Sequence, residues 1–317
     1  MEPANHVLSV RDQRRFMSGV ISCLIATLLL SISLPVVADT VVMRDLKELN
    51  SFFKRKGYAV EEWKKGEQKI PRLIILDIPE TWRKEVAPEL TVDEKKETFF
   101  RFAIPLAFMA NELVIKDRKR IEALKGKYGA ASDMPTPESD WLHAQAVKYG
   151  VAPGPIDDKA LDELLLRVDI VPPSLVVAQM ADESGWGTSR FAAEGNALFG
   201  QWSYSGGIKP EHQRASKGDY RIKAFKTPLA SVQAYMENLN SSKAYSDFRK
   251  KRAQLREQAS LIKGSELVGT LIDYSERREA YVREIRGLIK DNNLDPLDAS
   301  GLASGETVYV RLGGPTS

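Results

Sequence analysis

The stretch that most constrains this chain runs from Pro172 to Gly187. Pro172-Pro173-Ser174 sets a helix start, because proline at the first helical position gives up no hydrogen bond. Leu175 to Ala181 is then apolar at every position but Gln179. A helix that is hydrophobic on all sides must lie inside a domain, so other elements have to surround it. It closes with Asp182-Glu183-Ser184-Gly185-Trp186-Gly187, two carboxylates followed by a glycine suited to the left-handed residue that ends a helix. Adjacent residues diverge by about 100° around a helix, so the two carboxylates cannot enter one site together. Glu183 shares a face with Val176, Gln179 and Met180, and Asp182 shares one with Leu175, Ala178 and Gln179. Periodicity leaves the choice between them open.

A carboxyl group there meets the negative end of the helix dipole, and apolar neighbours withdraw water from it. Both effects favour the protonated form. A carboxyl kept neutral in this way is what protonates the leaving oxygen of a glycoside. Gly187 allows a ligand to come close, and Trp186 can pack or stack. The same residues also suit a structural role, with Glu183 accepting from backbone donors and Trp186 filling the core.

Composition removes several other chemistries. The 46 basic and 43 acidic residues leave a formal charge of +3, too little for the one-signed field with which a nucleic-acid binder meets phosphate. With Cys23 as the one cysteine and His6, His143 and His212 as the histidines, neither a disulfide framework nor a Cys- or His-rich metal centre is expected. No nucleophile motif accompanies His143 or His212, and the glycine spacings of phosphate-binding loops are absent. No cofactor is expected.

Residues 1–38 have the order of an export signal. Arg11, Arg14 and Arg15 precede an uncharged run from Phe16 to Pro35, and Val36-Val37-Ala38 supplies a cut site. The run is also close to the ~20 residues that span a bilayer, so an uncleaved inner-membrane tether through residues 16–35 is the alternative. Either sends the remainder to the periplasm or cell envelope.

Residues 39–135 read as an extended or partly helical arm followed by a packing helix. The helix runs from Lys95 to about Lys127, with Phe99, Phe102, Leu106, Met109, Leu113, Ile121 and Leu124 at three- and four-residue steps. Arg101, Pro105, Asn111 and Glu112 interrupt its greasy half and favour a buried helix over a membrane span. After the Pro135 and Pro137 turn, helices are expected at 141–149 and 158–168. A short strand is expected near Tyr220–Ala224, and helical spacing from Leu229 to about Leu288 with breaks near Ser241 and Gly264. The compact domain is placed at 136–292, and residues 293–317 are read as a flexible tail.

Val171-Pro-Pro-Ser-Leu175, Glu183-Ser-Gly-Trp-Gly-Thr-Ser-Arg-Phe191 and Gly195-Asn-Ala-Leu-Phe-Gly-Gln-Trp202 together resemble the glucosaminidase domain of bacterial Bax proteins. These are related to flagellar and autolysin peptidoglycan hydrolases. The resemblance covers about residues 140–290. It implies a mainly α fold, a lysozyme-like helical domain with a small β-hairpin lobe, and cleavage of the N-acetylglucosaminyl-β-1,4-N-acetylmuramyl bond. By the same resemblance the catalytic glutamate falls on Glu183, and Asn196, Phe199 and Gly200 line the substrate side, with Trp186 beside them. A second carboxylate is expected in the β-lobe, at Glu211 in preference to Asp219. A tyrosine facing the glutamate is expected within Tyr274-Ser-Glu-Arg-Arg-Glu-Ala-Tyr281, at Tyr274 with Tyr281 as the reserve. The partner implied is the glycan strand of peptidoglycan, and the chain itself is expected to be a monomer. A lytic transglycosylase and a non-catalytic wall-binding scaffold are the rival readings.

Overall fold

The computed structural model describes residues 40–43, 46–58, 69–129, 131–213 and 218–312. The signal or anchor expected at 1–38, including the tether at 16–35, lies outside them.

Strand β1 (Thr40–Met43), helix α1 (Leu46–Arg55) and strands β2 (Lys69–Ile70) and β3 (Leu73–Ile75) form the amino-terminal part. Helix α2 then runs from Val92 to Tyr128. It starts at a capping box: Thr91 Oγ1 accepts from Glu94 N at 3.3 Å, and the Glu94 carboxylate accepts from Thr91 N at 2.9 Å. By length and composition α2 is apolar enough to cross a membrane. Its Phe99, Ala103, Ile104, Leu106, Ala107 and Ala110 are instead fully buried within the protein, which makes it a core helix.

The distal half of α2 packs with α3 (Thr136–Lys148) and α4 (Asp158–Arg167) around Ile121, Leu142, Leu161 and Leu164. Its proximal half packs on α5 (Pro173–Ser184), in which every residue from Pro173 to Ala181 is buried. Helix α6 (Arg190–Gly195) leads to the β-lobe, where β4 (Trp202–Ser203) and β5 (Arg221–Ile222) pair antiparallel with Trp202 opposite Ile222. Helices α7 (Pro228–Ser241), α8 (Ser246–Glu257), α9 (Gly264–Leu267) and α10 (Glu279–Asp291) complete the bundle. Strands β6 (Gly301–Leu302) and β7 (Val308–Leu312) follow. The architecture is mainly α with short strands.

Over residues 293–312 the expected flexible tail is corrected, while 313–317 lie outside the described residues. Strand β7 is the central strand of a parallel sheet ordered β1-β7-β3, and β6 pairs in parallel with β2. Val310 is 1% exposed, and its carbonyl accepts from Leu76 N at 2.9 Å. Val308-Tyr309-Val310 carries the β-branched and aromatic side chains that suit a strand. Its partners come from residues 40–75, too far along the chain for local periodicity to signal the pairing. Arm and tail therefore make one layer, and Phe53, Ile70, Leu73 and Val310 share a single core with Leu175, Tyr235 and Tyr281.

This layer also aims the central helix. Asp298 accepts from Ser174 N (2.9 Å), Ser174 Oγ (2.6 Å) and Gly264 N (2.9 Å), which satisfies donors at the start of α5. Gly264 is required at that junction, since a Cβ there would lie 2.3 Å from Ser174 Oγ and 2.8 Å from Leu175 N.

Candidate active site

The last turn of α5 delivers Glu183. Gly185 ends the helix in the left-handed conformation at φ 56°. Ser184 locks the turn, donating to Met180 O at 2.6 Å and accepting from Gly187 N at 2.8 Å. Asp182 points elsewhere and accepts from Arg277 at 2.6 Å, while Arg277 also pairs with Glu284. Glu183 is the member of the pair that turns inward. It sits at the edge of the core, partly shielded and partly open.

A chain of hydrogen bonds holds it. Tyr281, on α10, donates to Glu183 Oε1 at 3.0 Å. Gln179, one turn earlier on α5, donates through Nε2 to the Tyr281 hydroxyl at 2.8 Å. Tyr235, on α7, donates to Gln179 Oε1 at 2.5 Å. Gln179, Tyr235 and Tyr281 are all fully buried.

Aromatic packing sets this chain in place. Phe199 stacks on Tyr235 at 3.9 Å and 8°, and Tyr274 stacks on Tyr281 at 5.3 Å and 12°. On the other side of Glu183 runs the backbone of Gly200, at φ +57°, where a Cβ would lie 3.9 Å from Glu183 Oε2. The glycine keeps this flank low.

Burial pushes the Glu183 carboxyl up to about 7. The Tyr281 hydrogen bond opposes this, the Asp182 charge adds to it, Arg277 lowers it and Glu284 raises it. A carboxyl group so poised is protonated in an appreciable fraction of molecules near neutral pH, which is what a general acid requires.

The structure gathers some of the expected residues and disperses others. Glu183, Tyr281, Tyr274, Phe199 and Gly200 come together. Within the tyrosine pair the roles differ from expectation: Tyr281 makes the hydrogen bond to Glu183, and Tyr274 buttresses Tyr281. Asn196 is used by the backbone. At φ 52° it closes α6, its Oδ1 accepts from Ile78 N at 3.1 Å, and its Nδ2 donates to Phe225 O at 3.2 Å.

Trp186 takes the packing alternative. Its ring packs edge-on against Phe99 and Phe100 of α2 at 5.6 and 5.4 Å, with Lys96 Nζ 5.3 Å from its centre. A Cβ at Gly187 would lie 3.3 Å from Trp82 Nε1 and 3.5 Å from Phe102, so this glycine makes room for those two side chains.

Glu211 stands in the β-lobe with its side chain 75% exposed, 3.5 Å from Arg190 Nε. Asp219 is exposed as well, beside Lys209 and Gln213. Among the described residues, the carboxylates whose charge reaches Glu183 are Asp182 and Glu284.

Gln179, Tyr235 and Arg277 were not singled out as site residues from the sequence. A signal existed for Gln179, the one polar residue within Leu175–Ala181, placed four residues before Glu183 and so on its face. Tyr235 and Arg277 carry no such local mark. Among the described residues no group of three His, Cys, Asp or Glu side chains is arranged to hold a metal ion.

Residues 159–294 match the glucosaminidase family model, described as mannosyl-glycoprotein endo-beta-N-acetylglucosaminidase. Protein bax of Escherichia coli (strain K12) is 31% identical over 204 residues, covering 62% of this chain and 70% of that protein. The chain belongs to the Bax-like glucosaminidase-domain proteins. Among solved structures it is similar to the catalytic domain of the autolysin Auto from Listeria monocytogenes. That similarity has 18% identity, 52% of this chain and 89% of the other covered, and a TM-score of 0.33. Membership of the glucosaminidase family makes the protein a glycan hydrolase in general class. In this Bax-like chain the matched residues hold Glu183 and its hydrogen-bonded chain. The sheet that braces them, built from residues 40–75 and 301–312, lies outside the match.

Proposed function

We propose that this protein hydrolyses the β-1,4 bond on the reducing side of N-acetylglucosamine in peptidoglycan, with Glu183 as the general acid. One observation carries the reading. A glutamate at the end of a buried helix, facing the low Gly200 backbone, has its carboxyl pushed up to about 7 by burial and its Oε1 held by Tyr281.

In the step this supports, Glu183 gives its proton to the glycosidic oxygen as the bond to the anomeric carbon breaks, and the leaving sugar departs as an alcohol. Asp182 and Glu284 are both engaged by Arg277, and Glu211 is exposed beside Arg190. This favours a mechanism with a single enzyme carboxyl group, in which the acetamido oxygen of the substrate attacks the anomeric carbon. Water then opens the cyclic intermediate, leaving its hydroxyl on that carbon and its second proton on Glu183.

A lytic transglycosylase also works with one carboxyl group, so the same observation favours it as the second reading. Mass spectrometry of the fragments released from purified peptidoglycan separates the two. Reducing N-acetylglucosamine ends support the hydrolase, and anhydromuramyl ends support the transglycosylase. Absence of soluble fragments, with protein pelleting on sacculi, points to the scaffold.

The proposed substrate belongs to the cell envelope. The basic-then-apolar order of residues 11–35 supports export, with an inner-membrane tether if residues 16–35 are retained. The proposed working form is a monomer, since one chain supplies the whole hydrogen-bonded set.

A further inference from the structure

We propose that Gln179 and Tyr235 are positioning residues that decide which oxygen of Glu183 carries the acidic proton, and that this oxygen is Oε2. The inference rests on the reading of Glu183 as the acid and adds to it a pair of residues that never touch the substrate.

Gln179, Tyr235 and Tyr281 are each 0% exposed, so bulk water does not reach them. A tyrosine hydroxyl has one proton to give, and a glutamine amide has one oxygen that accepts and one nitrogen that donates. Tyr235 donates to Gln179 Oε1, which turns Nε2 towards Tyr281. The Tyr281 oxygen accepts that N–H, so its own proton goes to Glu183 Oε1. An oxygen that accepts this bond does not hold the acidic proton in it. The proton therefore resides on Oε2, the oxygen beside Gly200.

The reversed amide is the competing arrangement. Gln179 Oε1 would then take the Tyr281 proton, and Tyr281 could only accept from a proton on Glu183 Oε1. The Tyr235 hydroxyl would face an amide nitrogen with nothing to donate to. A buried donor left unmade costs about 1–3 kcal/mol, and this penalty holds the amide the right way round. Tyr235 thus acts on Glu183 through two intermediate side chains.

The other charged and titratable groups around Glu183 are Asp182 on α5, Arg277 before α10, Glu284 on α10, and Tyr274 and Tyr245. The substitution Tyr235→Phe leaves all of them in place.

The test titrates the Glu183 carboxyl directly, by carbon-13 NMR of protein labelled at glutamate carboxyls, with Glu183→Gln identifying the signal. In Tyr235→Phe the amide is free to reverse, Tyr281 can accept from the protonated acid, and the proton affinity of Glu183 rises about threefold or more. Gln179→Met, which removes the amide altogether, also raises it. In the Gln179→Met background the further change Tyr235→Phe does nothing.

A superposable titration in Tyr235→Phe, or an equal shift in both backgrounds, overturns the proposal. Should Tyr235→Phe fail to fold, Gln179→Met alone decides, and an unshifted Glu183 signal there is the negative result. No turnover enters this measurement. An active Glu183→Gln enzyme would therefore sink the catalytic reading while leaving the positioning roles of Gln179 and Tyr235 to be judged by the titration.

Discussion

Tyr281 donates to Glu183 Oε1 across 98 residues of sequence, and this one bond works against the burial that lifts the same carboxyl group. The acidity of Glu183 is a balance between the two. Replacing Tyr281 with Phe keeps the ring and its stack with Tyr274 but removes the opposing hydrogen bond. The proton affinity of the Glu183 carboxyl, now at about 7, is then expected to rise about tenfold. Because an acid must be protonated to act, the high-pH limb of kcat/KM moves upward by the same amount. A pH–rate profile of Tyr281→Phe checks it.

Glu183→Gln removes the proton and keeps the shape. A general acid contributes about 10²- to 10⁴-fold, and a loss of that size in fragment release from peptidoglycan is expected. Parental activity in the purified variant would refute the role.

The same substitution has a stability signature. The folded-state carboxyl lies near 7, above its ordinary value of 4.5, so between those values the folded chain binds more protons than the unfolded one. Stability from this group is therefore fully present in acid and lost as pH rises through 7. The ionised group costs at most on the order of 3 kcal/mol, less whatever water at the edge of the core screens. Glu183→Gln should raise the melting temperature at pH 8 and have little effect at pH 4.5. Thermal melts at the two pH values measure the difference.

Glu211 provides a contrast. Exposed and paired with Arg190, it should tolerate replacement by Gln with less than about a threefold change in rate, the scale of a surface ion pair. A loss matching that of Glu183→Gln would show that the β-lobe closes and brings a second carboxyl group to the bond.

The carboxy-terminal layer is expected to be indispensable. Asp298→Ala leaves Ser174 N and Gly264 N without their acceptor and should cost about 2–4 kcal/mol. Ending the chain before Val308 removes the central strand between β1 and β3 and should abolish cooperative unfolding. Circular dichroism melts of both variants test this. An unchanged melt of the shortened chain would restore the view of residues 293–317 as a flexible tail.

What could be read in the sequence was what short-range chemistry dictates. An apolar run opened by Pro172-Pro173 and closed by Gly185 has to be an interior helix, and α5 is one, with Glu183 in its terminal turn. The buried course of α2 and the strand near Tyr220–Ala224 were legible for the same reason, since each is written in residues a few positions apart. Periodicity alone left Asp182 and Glu183 equivalent, and the family resemblance chose Glu183.

Tertiary structure decided the rest, because those choices depend on residues distant in the chain. Arg277 takes Asp182, Gln179 and Tyr235 orient Tyr281, the Phe99 and Phe100 rings claim Trp186, and the strands at 40–75 receive Val308–Leu312. A local pattern reports which side chains prefer burial. Which partner each one meets there is set by packing between segments that adjoin only after the chain has folded.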